Sequence, residues 1–358
     1  MEPDRILVIN PGSTSTKIAV FEDNQPVFAK TIRHDRKALA QFKNVAGQFP
    51  YRKKIILDQL RETNIDLSTI HMVVGRGGLL KPIESGVYEV NDTMCRDLRS
   101  ATYGEHASNL GALLADDLAR SLPHAKAYIA NPVVVDEMEE IARIAGHPLF
   151  QRRSVFHALN QKAVAETHAR SVMKRYEDLN LIVVHLGGGI TIGAHKKGRV
   201  IDVNQGLDGE GPFTPERSGT LPCGDLVDLS YSGRYDLREV RRMLTGEGGL
   251  VAYLGTNDTF DAEQKALDGD EKAALILQAM AYQVAKDIGA MATVLKGDVD
   301  AILITGGIAH SKWFVNMIIE RVYKLGPVHV YPGEDEMRAL AENGLRVLHG
   351  EIEAKIYR

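Results

Sequence analysis

Two stretches of the chain share one pattern of apolar and polar positions. Ile6-Leu7-Val8-Ile9 runs into the polar segment Asn10 to Thr16, then into Lys17-Ile18-Ala19-Val20-Phe21. Later, Leu181-Ile182-Val183-Val184 runs into His185-Leu186-Gly187-Gly188-Gly189, then Ile190-Thr191-Ile192-Gly193-Ala194. Short apolar runs bounded by turn residues predict buried strands. Each stretch therefore predicts a strand, a tight turn and a second strand. The repeat predicts two similar lobes, and two lobes make a cleft in which small-residue turns can hold phosphates.

The other elements follow from periodicity. Strands are expected at 5–9, 17–21, 26–32, 70–74, 87–90, 125–130, 199–203, 301–305 and 328–331. Helical spacing predicts helices at 51–63, 106–122, 136–145, 156–176, 224–232, 237–244, 272–295, 311–324 and 334–350. Alternation of strand and helix gives an α/β class. Residues 204–224, rich in Gly, Pro, Asp and Ser, predict a long irregular loop, and such loops are usually functional. The lobe boundary is placed near residues 150–180.

Composition narrows the function. The 358 residues allow two domains, and 44% are hydrophobic, enough for a substantial core. Lys plus Arg is 43 against Asp plus Glu 47, with no basic block, which argues against nucleic acid. Cys95 and Cys223 form no CxxC pair, so a reducing, cytoplasmic setting is the simplest expectation. No leader or membrane-spanning run is expected.

Several segments carry candidate chemistry. Asn10 to Lys17 is not a Walker loop; Asn10, Ser13 and Thr14 either fill a hairpin turn or bind a phosphate and its Mg²⁺. Arg76 lies among Gly75, Gly77 and Gly78, where its backbone could approach a ligand and its fork could clamp an anion; the alternative is a surface arginine. His106 lies at an expected helix start, a place that attracts anions. Asn131 and Asp136 follow a strand end, where open α/β sheets bind ligands, although Asp136 can equally cap a helix. His157 begins a long helix and is either structural or catalytic. Gly187, Gly188, Gly189, Gly306 and Gly307 follow buried strands and suit close approach of phosphate or nucleoside. Arg217, in the long loop, is a second candidate clamp. HExxH, CxxC and GxSxG motifs are absent, as is a strand–GxGxxG–helix dinucleotide fingerprint.

Together these segments resemble the acetate kinase and butyrate kinase family, within the sugar kinase, Hsp70 and actin superfamily. The resemblance rests on Asn10 to Lys17, Gly75 to Leu80, Gly104 to Gly111, Asn131 to Met138, Phe156 to Lys162, Leu186 to Ile190, Phe213 to Pro222, Thr305 to His310 and Pro332 to Met337. It spans the whole chain. It implies duplicated RNase H-like lobes of the actin/Hsp70/sugar kinase type flanking a central cleft. The first lobe would be 1–155, with the C-terminal helix at about 335–358 able to return to it; a nucleotide-binding lobe would cover 156–334. The implied activity is reversible transfer of the ATP γ-phosphoryl group to a short-chain carboxylate, giving an acyl phosphate and ADP, with Mg²⁺. By resemblance Asn10 meets the phosphoryl end and the metal, and Arg76 and Arg217 clamp the carboxylate and the phosphoryl group. His157 matches a transition-state histidine, and Glu336 an acid associated with Mg²⁺. Ser13, Thr14, Lys17, His106 and Asp136 fall among substrate- and phosphate-binding positions, and the five glycines among nucleotide-binding ones. Asn131 stands where the family usually has Asp, which removes a charge. Gln161 stands where acetate kinases have a second His, which points to the butyrate branch. A homodimer or higher homo-oligomer is implied. A kinase for branched or other small carboxylates and a nucleotide-dependent sensor on the same fold are the other readings.

Overall fold

The computed structural model describes residues 3–63, 65–207 and 209–358, the side chain of residue 36 excepted. The chain separates into two compact units, Met1–Val135 with Asp335–Arg358, and Asp136–Glu334. The division falls at 135/136 rather than at 155/156.

The first unit holds seven strands: β1 (Arg5–Pro11), β2 (Ser15–Glu22), β3 (Gln25–Arg33), β4 (Met72–Arg76), β5 (Val87–Glu89), β6 (Lys126–Ala130) and β12 (Lys355–Ile356), the last unforeseen in the sequence. Their order is β12-β5-β6-β4-β1-β2-β3. β1, β2 and β3 form an antiparallel meander, while β4 runs parallel to β1 and β6 parallel to β4. Ile6 to Ile9 are all buried because β1 is covered on both faces. Leu7, Ile9 and Val73 join Leu110, Leu113 and Leu114 of helix Asn109–Arg120 in one core. On the opposite face Ile6, Met72 and Val74 lie against Gly344 of helix Glu336–Leu348.

The second unit holds β7 (Asn180–Leu186), β8 (Ile190–Lys196), β9 (Arg199–Val203), β10 (Ala301–Gly306) and β11 (Val328–Pro332), ordered β11-β10-β7-β8-β9. Again a three-stranded antiparallel meander is extended by parallel strands. Helix Glu271–Val294 covers one face: its buried Leu277, Met280, Ala281, Val284 and Ile288 follow helical spacing and join Ile182, Val184 and Ile304. It is a core helix. Ala165 and Ala169 of helix Ala158–Ser171 pack on Leu181, Val183 and Leu303 from the other side.

Three expectations about helices change. The helix expected at 136–145 shrinks to Glu140–Arg143, because Asp136 turns back to pair with Arg143. The helix expected at 156–176 ends at Ser171, where Met173 takes a left-handed φ of 54°, and Tyr176 enters a separate 3-10 turn. The helix expected from His106 starts at Asn109. Helices Asp92–Ser100, Gly249–Leu254 and Thr259–Leu267 were not anticipated; Asn91 and Asp258 cap the first and last.

Candidate active site

In the first unit, the carboxyl ends of parallel β1 and β4 bring Asn10 and Arg76 together. Asn10 Nδ2 donates to Glu336 Oε2 at 2.7 Å, and an Arg76 guanidinium nitrogen donates to the same oxygen at 2.9 Å and to Asn10 Oδ1 at 3.4 Å. Asn10 and Glu336 are buried, and Arg76 is partly so. Glu336 opens its helix, where a carboxylate is favoured by the unpaired N–H groups. Lys17 faces Asn10 across the β1–β2 ladder, so both side chains project from the same face. Ser13 and Thr14 are exposed at the tip of the turn.

The glycines around Arg76 do not leave its backbone open. A Cβ on Gly75 would strike the Gly111 backbone, one on Gly77 would strike Pro132, and one on Gly78 would lie 2.6 Å from Asn109. They let helix Asn109–Arg120 and the strand after it press directly on β4. This corrects the expectation of an open backbone along that segment: the space beside these glycines is filled by packing.

Arg52, unmarked in the sequence reading, holds the turn between β1 and β2. It is fully buried, and its nitrogens donate to the carbonyls of Gly12 (2.8 Å), Ser13 (3.2 Å) and Ser15 (3.0 Å), to Thr16 Oγ1 (3.0 Å) and to Gln48 Oε1 (2.8 Å). All these partners are neutral oxygens. Burial pushes the guanidinium pKa down to about 10, so it stays cationic at neutral pH. A buried cation under a turn of exposed hydroxyls favours an anion above it. Arg52, Ile56 and Leu60 share one helix face at i, i+4 and i+8, so a charged residue on an apolar stripe was the available signal.

Asn131 takes a left-handed φ of 39°, a region Asn tolerates, and its Oδ1 accepts from Gly86 N–H at 2.8 Å. Its carboxamide oxygen is therefore occupied in fixing the end of β6. His106 is exposed and its Nδ1 meets Ser108 Oγ at 2.8 Å.

In the second unit, His157 and His185 stack with ring centroids 3.8 Å apart. His157 Nδ1 lies 2.9 Å from Thr191 Oγ1; His185 Nδ1 lies 2.8 Å from Asn160 Oδ1, and its Nε2 lies 3.6 Å from Glu334 Oε2. Arg217 donates to the Gly206 carbonyl and covers Gly189; a Cβ there would meet the guanidinium and His157 Cε1 together. Arg217 and His157 are thus neighbours over one glycine. Thr214 ties the long loop to the glycine turn, donating to the Gly188 carbonyl at 2.8 Å and accepting from Arg217 N–H at 3.1 Å. Residue 208, within that loop, lies outside the described residues. Asp136 does not join this group: it forms a two-pronged pair with Arg143 at 2.5 and 2.7 Å. His185 was missed as a site residue, although a histidine ending a strand just before three glycines was the signal.

The five glycines divide in two. Gly188 and Gly307 face open space and line a cavity of about 810 Å³ with Gly187, Pro215, Phe260 and Trp313. That volume suits a nucleotide-sized ligand. Gly189 is covered by Arg217. Gly306, at a φ of 95°, lies so close to the Leu186 carbonyl that a side chain would collide with it. Gly306 therefore has a packing reason of its own, the close approach of β10 to β7.

The fold, two sheet-bearing α/β units, is shared with solved acetate and propionate kinases. Acetate kinase from Porphyromonas gingivalis has a similar structure, with a TM-score of 0.78 and 18% identity, covering 96% of this chain and 100% of that one. A propionate kinase from Francisella tularensis gives 0.75 and 20%, covering 95% and 98%. These likenesses concern the fold. A profile described as Acetokinase family matches residues 141–345, and the chain belongs to that family. Butyrate kinase 1 and Butyrate kinase 2 of Clostridium acetobutylicum are each 54% identical to it over 354 residues, 99% of either chain. Among the described residues, no helix is long and apolar enough to cross a membrane.

Proposed function

We propose that this protein is a short-chain carboxylate kinase that transfers the ATP γ-phosphoryl group to butyrate or a close analogue, reversibly, giving an acyl phosphate and ADP. The observation that carries this reading is the 54% identity to two butyrate kinases along almost the entire chain. The shared strand order of the two sheets supports the finer reading of duplicated RNase H-like lobes.

The chemistry needs little beyond charge and position. A carboxylate is ionised at neutral pH and needs no general base. The transferring phosphoryl group spreads its charge over three oxygens, and fixed donors stabilise it. Arg76, held by Asn10 and Glu336, orients the carboxylate acceptor. Arg217 and His157 donate to the phosphoryl oxygens, and the hydroxyls of Ser13 and Thr14, with Lys17, bind phosphate. Gly188 and Gly307 give the nucleotide an open backbone surface. Glu336 and Asn10 would hold Mg²⁺ together with nucleotide phosphates, as one carboxylate commonly does in such sites; the ion would neutralise phosphate charge. The Asn10 Nδ2–Glu336 Oε2 bond keeps the Asn10 carboxamide oxygen, at the end of β1, and the Glu336 carboxylate, at the start of its helix, in one cluster, which fits that role. Asn131 keeps the β6 turn in place, and His106 and Asp136 act outside the reacting group.

Acyl-hydroxamate formation from ATP and a panel of straight and branched short-chain carboxylates tests the reading. Butyrate should be among the best acceptors; product with none of them would refute it, and a preference for isobutyrate, propionate or acetate would reassign the acceptor. Arg217→Ala should lower kcat by on the order of 10²-fold or more, the effect of losing a transition-state donor. Near-normal turnover in that variant would remove Arg217 from the mechanism.

A further inference from the structure

Behind His157 lies a line of buried polar side chains whose hydrogen bonds can run in only one direction. Gln161 Nε2 lies 3.0 Å from the Thr191 backbone carbonyl and 2.9 Å from Thr191 Oγ1. A carbonyl can only accept, so the amide nitrogen of Gln161 must face it. Gln161 Oε1 then faces His195 Nε2 at 2.9 Å, and this nitrogen must donate. His195 is completely buried, and burial, with Lys162 nearby, holds its pKa well below 6.5, so the ring is neutral. A neutral ring that donates from Nε2 accepts at Nδ1, so the Tyr176 hydroxyl, 2.6 Å away, is the donor there. At the other end, Thr191 Oγ1 accepts from Gln161. Of the two side chains bonded to that oxygen, only His157, through Nδ1 at 2.9 Å, can receive its proton. His157 Nδ1 is thereby an acceptor, and the ring proton sits on Nε2.

The backbone is built for this line. Thr191, Gly193 and His195 alternate along β8 and so share one face. A Cβ on Gly193 would lie 2.6 Å from Gln161 Oε1, so only glycine lets the amide rest between the two partners. Gln161 and Thr191 are themselves completely buried, so water does not compete for these bonds.

We propose that Tyr176, His195, Gln161 and Thr191 are positioning residues that lock His157 into the Nε2–H tautomer, making it a hydrogen-bond donor to the phosphoryl group in transfer. No proton moves along the line; it sets one ring orientation and one tautomer. The value of that tautomer to turnover rests on the kinase reading above, whereas the tautomer itself does not.

Nitrogen-15 spectra of histidine-labelled protein test the claim, since protonated and unprotonated ring nitrogens differ widely in shift. Wild-type His157, assigned by its loss in His157→Gln, should show an unprotonated Nδ1. A protonated Nδ1 overturns the proposal whatever the variants do. Thr191→Val, nearly isosteric, should give mixed tautomers and lower kcat about tenfold, the worth of one such hydrogen bond, with KM for ATP and carboxylate little changed. Thr191→Ser should restore both, and Gln161→Met, which frees the threonine rotor, should fall between. Wild-type kcat and an unaltered His157 signal in Thr191→Val would overturn the proposal. Failure of wild-type protein to phosphorylate any short-chain carboxylate would sink the kinase reading while leaving the tautomer measurement standing.

Discussion

At the scale of single residues, what decides the site is where each polar group finds its partner. Arg76 and Arg217 stood out in the sequence because one lies between glycines after a buried strand and the other in the long irregular loop, although a surface arginine was the alternative reading. Arg52 did not, because it sits within a helical run whose other inward positions are apolar. Its guanidinium reaches three backbone carbonyls of the β1–β2 turn, those of Gly12, Ser13 and Ser15, the last of which also accepts from Gly12 N–H at 2.7 Å. Arg52→Met keeps much of the stem but leaves those carbonyls and Thr16 without it. The expected loss is about 3 kcal/mol or more, since each buried unsatisfied polar group costs roughly 1–3 kcal/mol. KM for ATP should rise as the turn loosens. Chemical denaturation and steady-state kinetics check both, and a variant matching wild type in both would show that the turn stands without its buried cation.

At the scale of elements, short apolar runs between turn residues were legible as strands, because burial on both faces requires apolar residues at every position. Glycine meanings were not legible. Gly75, Gly77 and Gly78 read as room for a ligand, yet the space beside them is filled by Gly111, Pro132 and Asn109. A glycine tells only that something comes close, and a ligand and a helix leave the same mark. Gly111→Ala should therefore act at a distance: a Cβ there collides with the Arg76 carbonyl, and overpacking of this kind costs about 1–3 kcal/mol. The helix must retreat from β4, and Arg76 shifts with the strand end. A lower melting temperature together with a reduced kcat is expected; an unaffected kcat would uncouple this contact from the site. The short helix Glu140–Arg143 gives the same lesson, since local spacing favoured a longer one and the Asp136–Arg143 pair ended it.

At the scale of the whole molecule, burial sets how stability depends on pH. Asp287, on the core helix Glu271–Val294, has its carboxyl pushed up from 3.8 to about 6, first by burial, with Lys286 and Arg152 opposing. A raised carboxyl holds its proton more tightly in the folded state. Its contribution is fully present below the unfolded value and is lost as pH rises through about 6. Asp287→Asn keeps a neutral group at all pH values. Its melting temperature should exceed that of wild type by on the order of a few °C at alkaline pH, with the gap closing in acid. A constant gap across that range would exclude the carboxyl as its source.

The sequence by itself determined the strand–turn–strand repeats, the α/β class and the order of the motifs, because these follow from patterns within a few residues of one another. Only the tertiary structure decided that Glu336 bonds to Arg76, 260 positions away, and to Asn10, 326 away. It also decided that Arg52 holds a turn and that Thr191 orients His157. Those pairings depend on strand order and on which helix face meets which strand, and packing of the whole chain sets both. No local propensity encodes them.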